Sequence, residues 1–196
     1  VLPFRDFLSS VAGFGTETIK VGAPALLSRD DEGLLEPLQS ALGAWGKAEE
    51  FYARAFLEPV ITSIVQADSS QPADWTQSSC FECGGPPQVA VLRDLPDALG
   101  HRSLICSMCA TEWRFQRLTC PHCGETKADK LPLHTAESIA HVRVDACTTC
   151  TRYIKTVDLR KDGTAVPLVD ELAAVELDIW AREEGLMKLR ANVLGL

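Results

Sequence analysis

Eight cysteines, all between residues 80 and 150, are the residues whose types and spacing could do chemistry. They fall into four Cys-x-x-Cys pairs: Cys80/Cys83, Cys106/Cys109, Cys120/Cys123 and Cys147/Cys150. Two cysteines separated by two residues can share one tight turn and aim both sulfurs at one ion. A second such turn completes a tetrahedron of thiolates, a donor set that suits zinc and iron alike. Gly84 and Gly124 follow the first pair of each half, where glycine accepts a positive φ and a close backbone approach. The halves also match in spacing. Between the first two pairs lie 22 residues and between the last two lie 23. A histidine (His101, His141) precedes and an aromatic (Trp113, Tyr153) follows the second pair in each. This internal repeat predicts two tandem modules, one metal held by Cys80, Cys83, Cys106 and Cys109 and the other by Cys120, Cys123, Cys147 and Cys150. A cross-braced arrangement, pairing the first with the third turn and the second with the fourth, is the alternative that the repeat disfavours.

A closed shell of four thiolates leaves no position for substrate or water, so a structural role outweighs a catalytic or redox one. Each site would contribute on the order of 10 kcal/mol to folding, support that modules of this size need. No G-x-S-x-G elbow, H-E-x-x-H helix or phosphate-binding glycine loop occurs, and the expectation is a binding protein rather than an enzyme. A thioredoxin-like reading would want a single Cys-x-x-Cys opening a helix. With eight thiolates available, His101, His122, His134 and His141 are not needed as ligands, and Trp113 and Tyr153 read first as packing over the sites.

The elements around the cysteines give an α+β chain. Residues 1–79 read as helical: Pro37 suits a first turn, and Leu38, Leu42, Trp45, Ala48, Tyr52 and Ala55 follow at helical spacing, with Pro59 expected to kink or end the helix. Residues 68–79 read as a polar linker. Residues 80–119 and 120–160 form the two modules of short antiparallel strands, zinc-ribbon-like, with strands expected at Val89–Arg93, Arg102–Ile105, Trp113–Leu118, Ile139–Val144 and Tyr153–Leu159. Residues 161–196 hold a C-terminal helix over 168–184, with Leu168, Leu172, Val175 and Ile179 as its apolar stripe.

Charge and terminus bound the partners and the compartment. The net charge is −8, with 5 basic and 11 acidic side chains in residues 1–79, 10 and 9 in 80–160, and 4 and 7 in 161–196. A nucleic-acid binder usually carries a cationic surplus, so none is expected as partner. No apolar run approaches the roughly 20 residues of a membrane helix. The start, Val1-Leu2-Pro3-Phe4-Arg5, does not read as a signal peptide, and its lack of an initiator Met is compatible with a fragment. Cytoplasm is the default, where paired cysteines favour metal over disulfide.

Specific residues then resemble the formate dehydrogenase accessory protein family (FdhE-like). They are Cys80-Phe-Glu-Cys83-Gly84 with Pro86, Arg102-Ser-Leu104-Ile-Cys106, Cys109-Ala-Thr111-Glu112-Trp113, Cys120-Pro-His-Cys123 and Cys147-Thr-Thr-Cys150-Thr-Arg-Tyr153-Ile154-Lys155. Asp170-Glu-Leu172-Ala173, Leu177-Asp178 and Glu184-Gly185 continue it, so the resemblance covers roughly residues 80–190. It implies a cytoplasmic assembly factor that binds the catalytic subunit of a respiratory formate dehydrogenase before export by the twin-arginine route. It also implies rubredoxin-like sites with iron favoured, zinc remaining open. Family chains carry more helix at the N-terminus than this one. Glu112 and Trp113 are among the closest matches. A carboxylate beside a negatively charged thiolate site has little structural reason to be there, so Glu112, with Trp113, is the expected partner-binding position, possessing the charge to meet a basic export signal. A nucleic-acid-binding zinc ribbon and a rubredoxin-like electron carrier are the competing readings, and a homodimer is left open.

Overall fold

A computed structural model describes residues 1–41, 49–67, 72, 74–96, 98–192 and 195. The chain divides into two compact units, Val1–Asp68 and Ser69–Leu196.

The first unit is helical: α1 (Leu2–Phe14), α2 (Glu17–Lys20), α3 (Ala23–Leu27), α4 (Asp31–Ser40) and α5 (Glu49–Ala67). Phe4, Leu8, Leu26, Leu34 and Ala53 make its core. Tyr52 ties α5 to the α2–α3 turn, its hydroxyl donating to the Ile19 carbonyl at 2.6 Å and accepting from the Gly22 amide at 3.1 Å. Two sequence expectations change here. Pro37 lies inside α4 rather than opening a helix, because Asp30 caps earlier, its Oδ1 accepting from the Gly33 amide at 2.8 Å. Pro59 lies inside α5, which runs on to Ala67; a proline removes one rung of the helical ladder and leaves the others in place. Leu42, Trp45 and Ala48 of the expected stripe lie outside the described residues.

The second unit is a sheet with helices. Its strands are β1 (Pro87–Leu95), β2 (Ala98–Cys106), β3 (Glu112–Arg114), β4 (Leu133–Thr135), β5 (Val142–Cys147), β6 (Arg152–Asp158) and β7 (Met187–Lys188), in the order β3-β2-β1-β6-β5-β4 with β7 on β6. Within each cysteine module the pairing is antiparallel. The modules join through a parallel ladder that the sequence did not announce, Ala90 with Thr156, Val91 with Val157 and Leu92 with Asp158. Both modules therefore share one sheet.

Strand alternation gives that sheet two different faces. Val89, Val91, Ile105, Val142, Val144, Ala146, Tyr153 and Val157 point to one face and form a core with Ala174, Leu177 and Ala181. Leu177 and Ala181 come from α7 (Val175–Glu183), and Ala174 is the break that separates it from α6 (Pro167–Ala173), where the expected single helix would have continued. The break turns the buried face away from the expected stripe: Ile179 is exposed, and Glu171, Leu177, Asp178 and Ala181 are buried.

Among the described residues, no helix of this unit packs on the opposite face. Here the chain leaves β3 at Phe115, earlier than the expected strand to Leu118, and crosses toward the second module. Arg102 holds the crossing: Phe115 donates its amide to the Arg102 carbonyl at 3.0 Å, and the guanidinium donates to the carbonyls of Gln116 and Thr119 at 3.1 and 3.0 Å. Among the described residues no helix is long and apolar enough to cross a membrane.

Candidate metal centres

Each module brings its two Cys-x-x-Cys turns to face one another. Cys106 and Cys147 end β2 and β5, while Cys80 and Cys120 open the facing turns. The turns are built alike in both modules: the Cys80 amide donates to the Gly85 carbonyl and Gly84 to Cys80, as Cys120 does to Glu125 and Gly124 to Cys120. Gly84 and Gly124 have φ of +73 and +75. The second turns repeat too, with Ala110 and Thr151 both left-handed at φ 57 and 56.

The sulfurs group in the tandem arrangement. Cys80, Cys83, Cys106 and Cys109 lie within 4.8 Å of one another, as do Cys120, Cys123, Cys147 and Cys150. Neighbouring sulfurs stand 3.4–3.5 Å apart in the first cage and 3.6–3.7 Å in the second. A disulfide would need about 2.05 Å. A tetrahedral ion with metal–sulfur bonds of about 2.3 Å sets its sulfurs roughly 3.8 Å apart, so the cages fit such an ion with little adjustment. Backbone amides already point at the sulfurs, Met108 N at Cys106 Sγ (3.3 Å) and His122 N at Cys120 Sγ (3.5 Å). The Thr111 hydroxyl is 3.0 Å from Cys109 Sγ.

The thiols cannot all ionise alone. Hydrogen bonding from Cys106 and then Cys83 holds Cys80 down to about 2. The same bonding to Cys80 and Cys83, with burial, pushes Cys106 up. In the second cage burial first, then the neighbouring sulfurs, raise Cys150. A divalent cation would supply the charge that lets every sulfur become a ligand. The two cages could thus hold two metal ions, iron and zinc fitting the donor set equally.

The cages differ in access. Only Cys83 of the first reaches half-burial, whereas Cys123 of the second is exposed and Cys150 half-buried. Gly85 explains part of this. A Cβ there would stand 3.0 Å from Cys106 Sγ and 3.3 Å from Cys83 Sγ, while the second module carries Glu125 at the matching place. Gly85→Ala should therefore loosen the first cage and speed metal release to a colorimetric chelator. Gly84→Ala, with nothing within 4 Å of its Cβ, should cost only the about 1–2 kcal/mol of a left-handed alanine, read from a denaturation midpoint. Equal release rates from Gly85→Ala and the parent protein would disprove the crowding argument.

The other expected site residues are placed as follows. Trp113 is 1 % exposed, its indole N–H donating to the Gln77 carbonyl at 3.1 Å, so it packs and offers a partner almost no surface. Glu112 lies at the sheet edge with its side chain 33 % exposed. It does have structural partners, which corrects the argument from charge: Arg93 Nη2 donates to its Oε2 at 2.8 Å and the Ser103 hydroxyl donates to Oε1. Sequence could not reveal these partners, because they depend on the β1–β2–β3 register. Glu112 and Arg93 line an open groove with Leu95, His101 and Arg114. Of the histidines, His122 is exposed, His134 leans on Trp180 (4.6 Å between rings) and His141 Nε2 meets Asp170 Oδ1 at 2.7 Å.

Comparison with known proteins agrees with this geometry. The model of the FdhE central domain matches residues 79–117 and that of the FdhE C-terminal domain matches 118–194. A protein named Protein FdhE homolog from Aquifex aeolicus is 32 % identical over 194 residues, 98 % of this chain and 69 % of that protein. One from Stutzerimonas stutzeri is 36 % identical over 119 residues, 60 % of this chain and 38 % of its own length. The crystal structure of the FdhE protein from Pseudomonas aeruginosa superposes with a TM-score of 0.77 at 25 % identity, covering 98 % of this chain and 70 % of that one. With both cysteine modules and the surrounding sheet matched, the chain belongs to the FdhE family.

Proposed function

We propose that this chain is a non-enzymatic, metal-binding accessory protein for formate dehydrogenase, which holds the catalytic subunit in the cytoplasm before export. The observation that carries this reading is the similarity to an FdhE homologue along 98 % of the chain, with all eight cysteines gathered in two closed cages. Cys80, Cys83, Cys106 and Cys109 would hold one ion, and Cys120, Cys123, Cys147 and Cys150 the other. Such ions would supply a structural cross-link, and the protein's own work would be recognition. In this reading the helical part (1–79), the two modules (80–119 and 120–160) and the C-terminal helical part (161–196) divide the labour, the modules giving a rigid frame. The groove beside Glu112 is the surface we assign to the catalytic subunit, with Trp113 shaping it from beneath.

The test is co-purification of the full chain with the formate dehydrogenase catalytic subunit, together with rescue of formate dehydrogenase activity in cells lacking their own FdhE. Glu112→Gln should keep both metals and lower the melting temperature only slightly, since Arg93 and Glu112 are each about a third exposed and such pairs are worth little. It should nonetheless weaken capture of the subunit severalfold. Capture and rescue equal to the parent protein would remove Glu112 from the interface. Failure of the parent protein itself to capture the subunit would remove the accessory role.

A further inference from the structure

We propose that the face of the sheet opposite α6 and α7 carries a second recognition site, a cleft that takes an extended protein segment bearing an apolar side chain flanked by carboxylates. This surface lies on the opposite side of the sheet from the Glu112 groove. Ile105 and Glu112 are paired neighbours on the helix-bearing face, whereas Arg102, Asp145 and Ile154 alternate to the other.

The cleft lies where the 115–120 crossing meets the second module, and Arg102, Arg117, Leu118, Leu133, Asp145 and Arg152 line it. Cys120 and Cys147 of the second cage line it too. Asp145 is already engaged: its Oδ1 accepts from Arg143 Nε at 2.8 Å, and its Oδ2 accepts from the Thr156 hydroxyl at 2.8 Å and faces Arg102 Nη2 at 3.5 Å. Asp158 is engaged by Arg160 at 2.6 Å. The side chains of Arg117 and Arg152 have no hydrogen bond or ion pair among the described residues. Arg102 is 3 % exposed, and its Nε is buried without an acceptor among those residues.

Arg117 is exposed and lies beside a second guanidinium. A Cβ on Gly100 would stand 2.7 Å from Arg117 Nη1 and 3.0 Å from Arg160 Nη1, so two guanidinium groups flank one point. Only Arg160 has its own carboxylate. An anionic group on Arg117 would relieve that repulsion, and planar guanidinium forks suit carboxylates.

The apolar lining selects the class of partner. Leu118 and Leu133 are 62 % and 54 % exposed at the cleft, which favours an aliphatic side chain and gives little to a sugar–phosphate backbone. Leu133 also belongs to β4, the last strand in the sheet order, whose outer edge can pair with an extended segment. Charge and apolar contact thus coincide in one cleft, within a chain whose net charge is −8.

The test uses the full chain and a fluorescein-labelled peptide, Gly-Ser-Asp-Leu-Glu-Leu-Asp-Gly, read by fluorescence anisotropy. Saturable binding is expected, weakened at least tenfold by Arg117→Glu or Arg152→Glu and by 0.5 M salt, as a contact to charged groups requires (about tenfold per 1.4 kcal/mol). Arg117→Gln should give a smaller loss with unchanged circular dichroism and metal content. The same peptide with lysine for each acid should not bind. Glu112→Gln should leave peptide binding intact, which separates this site from the accessory surface. No saturable binding up to millimolar peptide, or binding indifferent to both arginines, overturns the proposal. A single-stranded oligonucleotide that binds more tightly through the same arginines overturns it in favour of nucleic acid.

Discussion

Stripping the metal under reducing conditions should unfold residues 69–196 as one body and leave the helices of residues 1–67 largely helical. Each four-thiolate site is expected to contribute on the order of 10 kcal/mol, as much as an average domain's whole stability. The ions would be bound by turns that end β2 and β5, and those strands enclose the core of Val89, Val91, Val142, Val144 and Tyr153. From sequence alone, losing one site would be expected to unfold only its own module. The parallel β1–β6 ladder changes that expectation, because neither module can leave without exposing the other's sheet edge. Cys106→Ser and Cys147→Ser should therefore produce the same broad loss of strand signal. Chelation should empty the second cage first, because Cys123 is exposed while the first cage has no exposed cysteine. Far-ultraviolet circular dichroism, limited proteolysis and stoichiometric metal release together decide the matter. Retention of one folded module after Cys106→Ser would show that the two halves are energetically separate.

The contrast between what was legible and what was not follows the range of the interactions. The cages were legible because ligand chemistry is local: Cys-x-x-Cys spacing, Gly84 and Gly124 describe turns that need no knowledge of the rest of the chain. Their left-handed partners Ala110 and Thr151 were invisible, since neither residue type signals a positive φ. β6 was found nearly in place, whereas the strand expected at Ile139–Val144 starts only at Val142 and runs to Cys147, because Glu137–Ile139 form a 3-10 turn before it. β4 and β7, of three and two residues, were missed because they are too short to show a period and exist only through pairing. The helix stripe went astray for a different reason. The sequence rule seeks apolar residues on the buried face, and here that face presents Glu171 and Asp178. The groups that neutralise them, Lys155 and Lys188, come from β6 and β7, so the burial makes sense only in three dimensions.

That same network should make Lys155→Met one of the most damaging substitutions outside the cysteines. Lys155 is completely buried, with Nζ 2.6 Å from Asp178 Oδ2, 3.1 Å from Glu171 Oε1 and 3.2 Å from the Ala174 carbonyl. Lys188 completes the balance, meeting Glu171 Oε1 and standing 3.0 Å from Asp178 Oδ1. The Tyr153 hydroxyl donates to Asp178 at 2.8 Å, and Asn192 donates to Glu171 at 3.3 Å. Burial pushes the Lys188 amine below its ordinary value, and burial with the Asp178 charge pushes the Tyr153 phenol above its own. Two cations thus face two anions where water does not reach. Methionine preserves most of the volume at position 155 and removes one cation, leaving two carboxylates to share Lys188. Breaking such a buried pair costs about 3–5 kcal/mol, far more than the same loss at the surface. Because the network spans β6, β7, α6 and α7, the cost should fall on the docking of the helices against the sheet. A fall in melting temperature of roughly 10 °C is expected, with both metals retained. Removing the opposite charge as well provides the control: Lys155→Met combined with Asp178→Asn should be less destabilised than the two single changes added together, by about 0.5–3 kcal/mol. Strict additivity in that cycle, or a cost below about 1 kcal/mol for Lys155→Met, would mean that the buried charges are held by their backbone contacts rather than by one another.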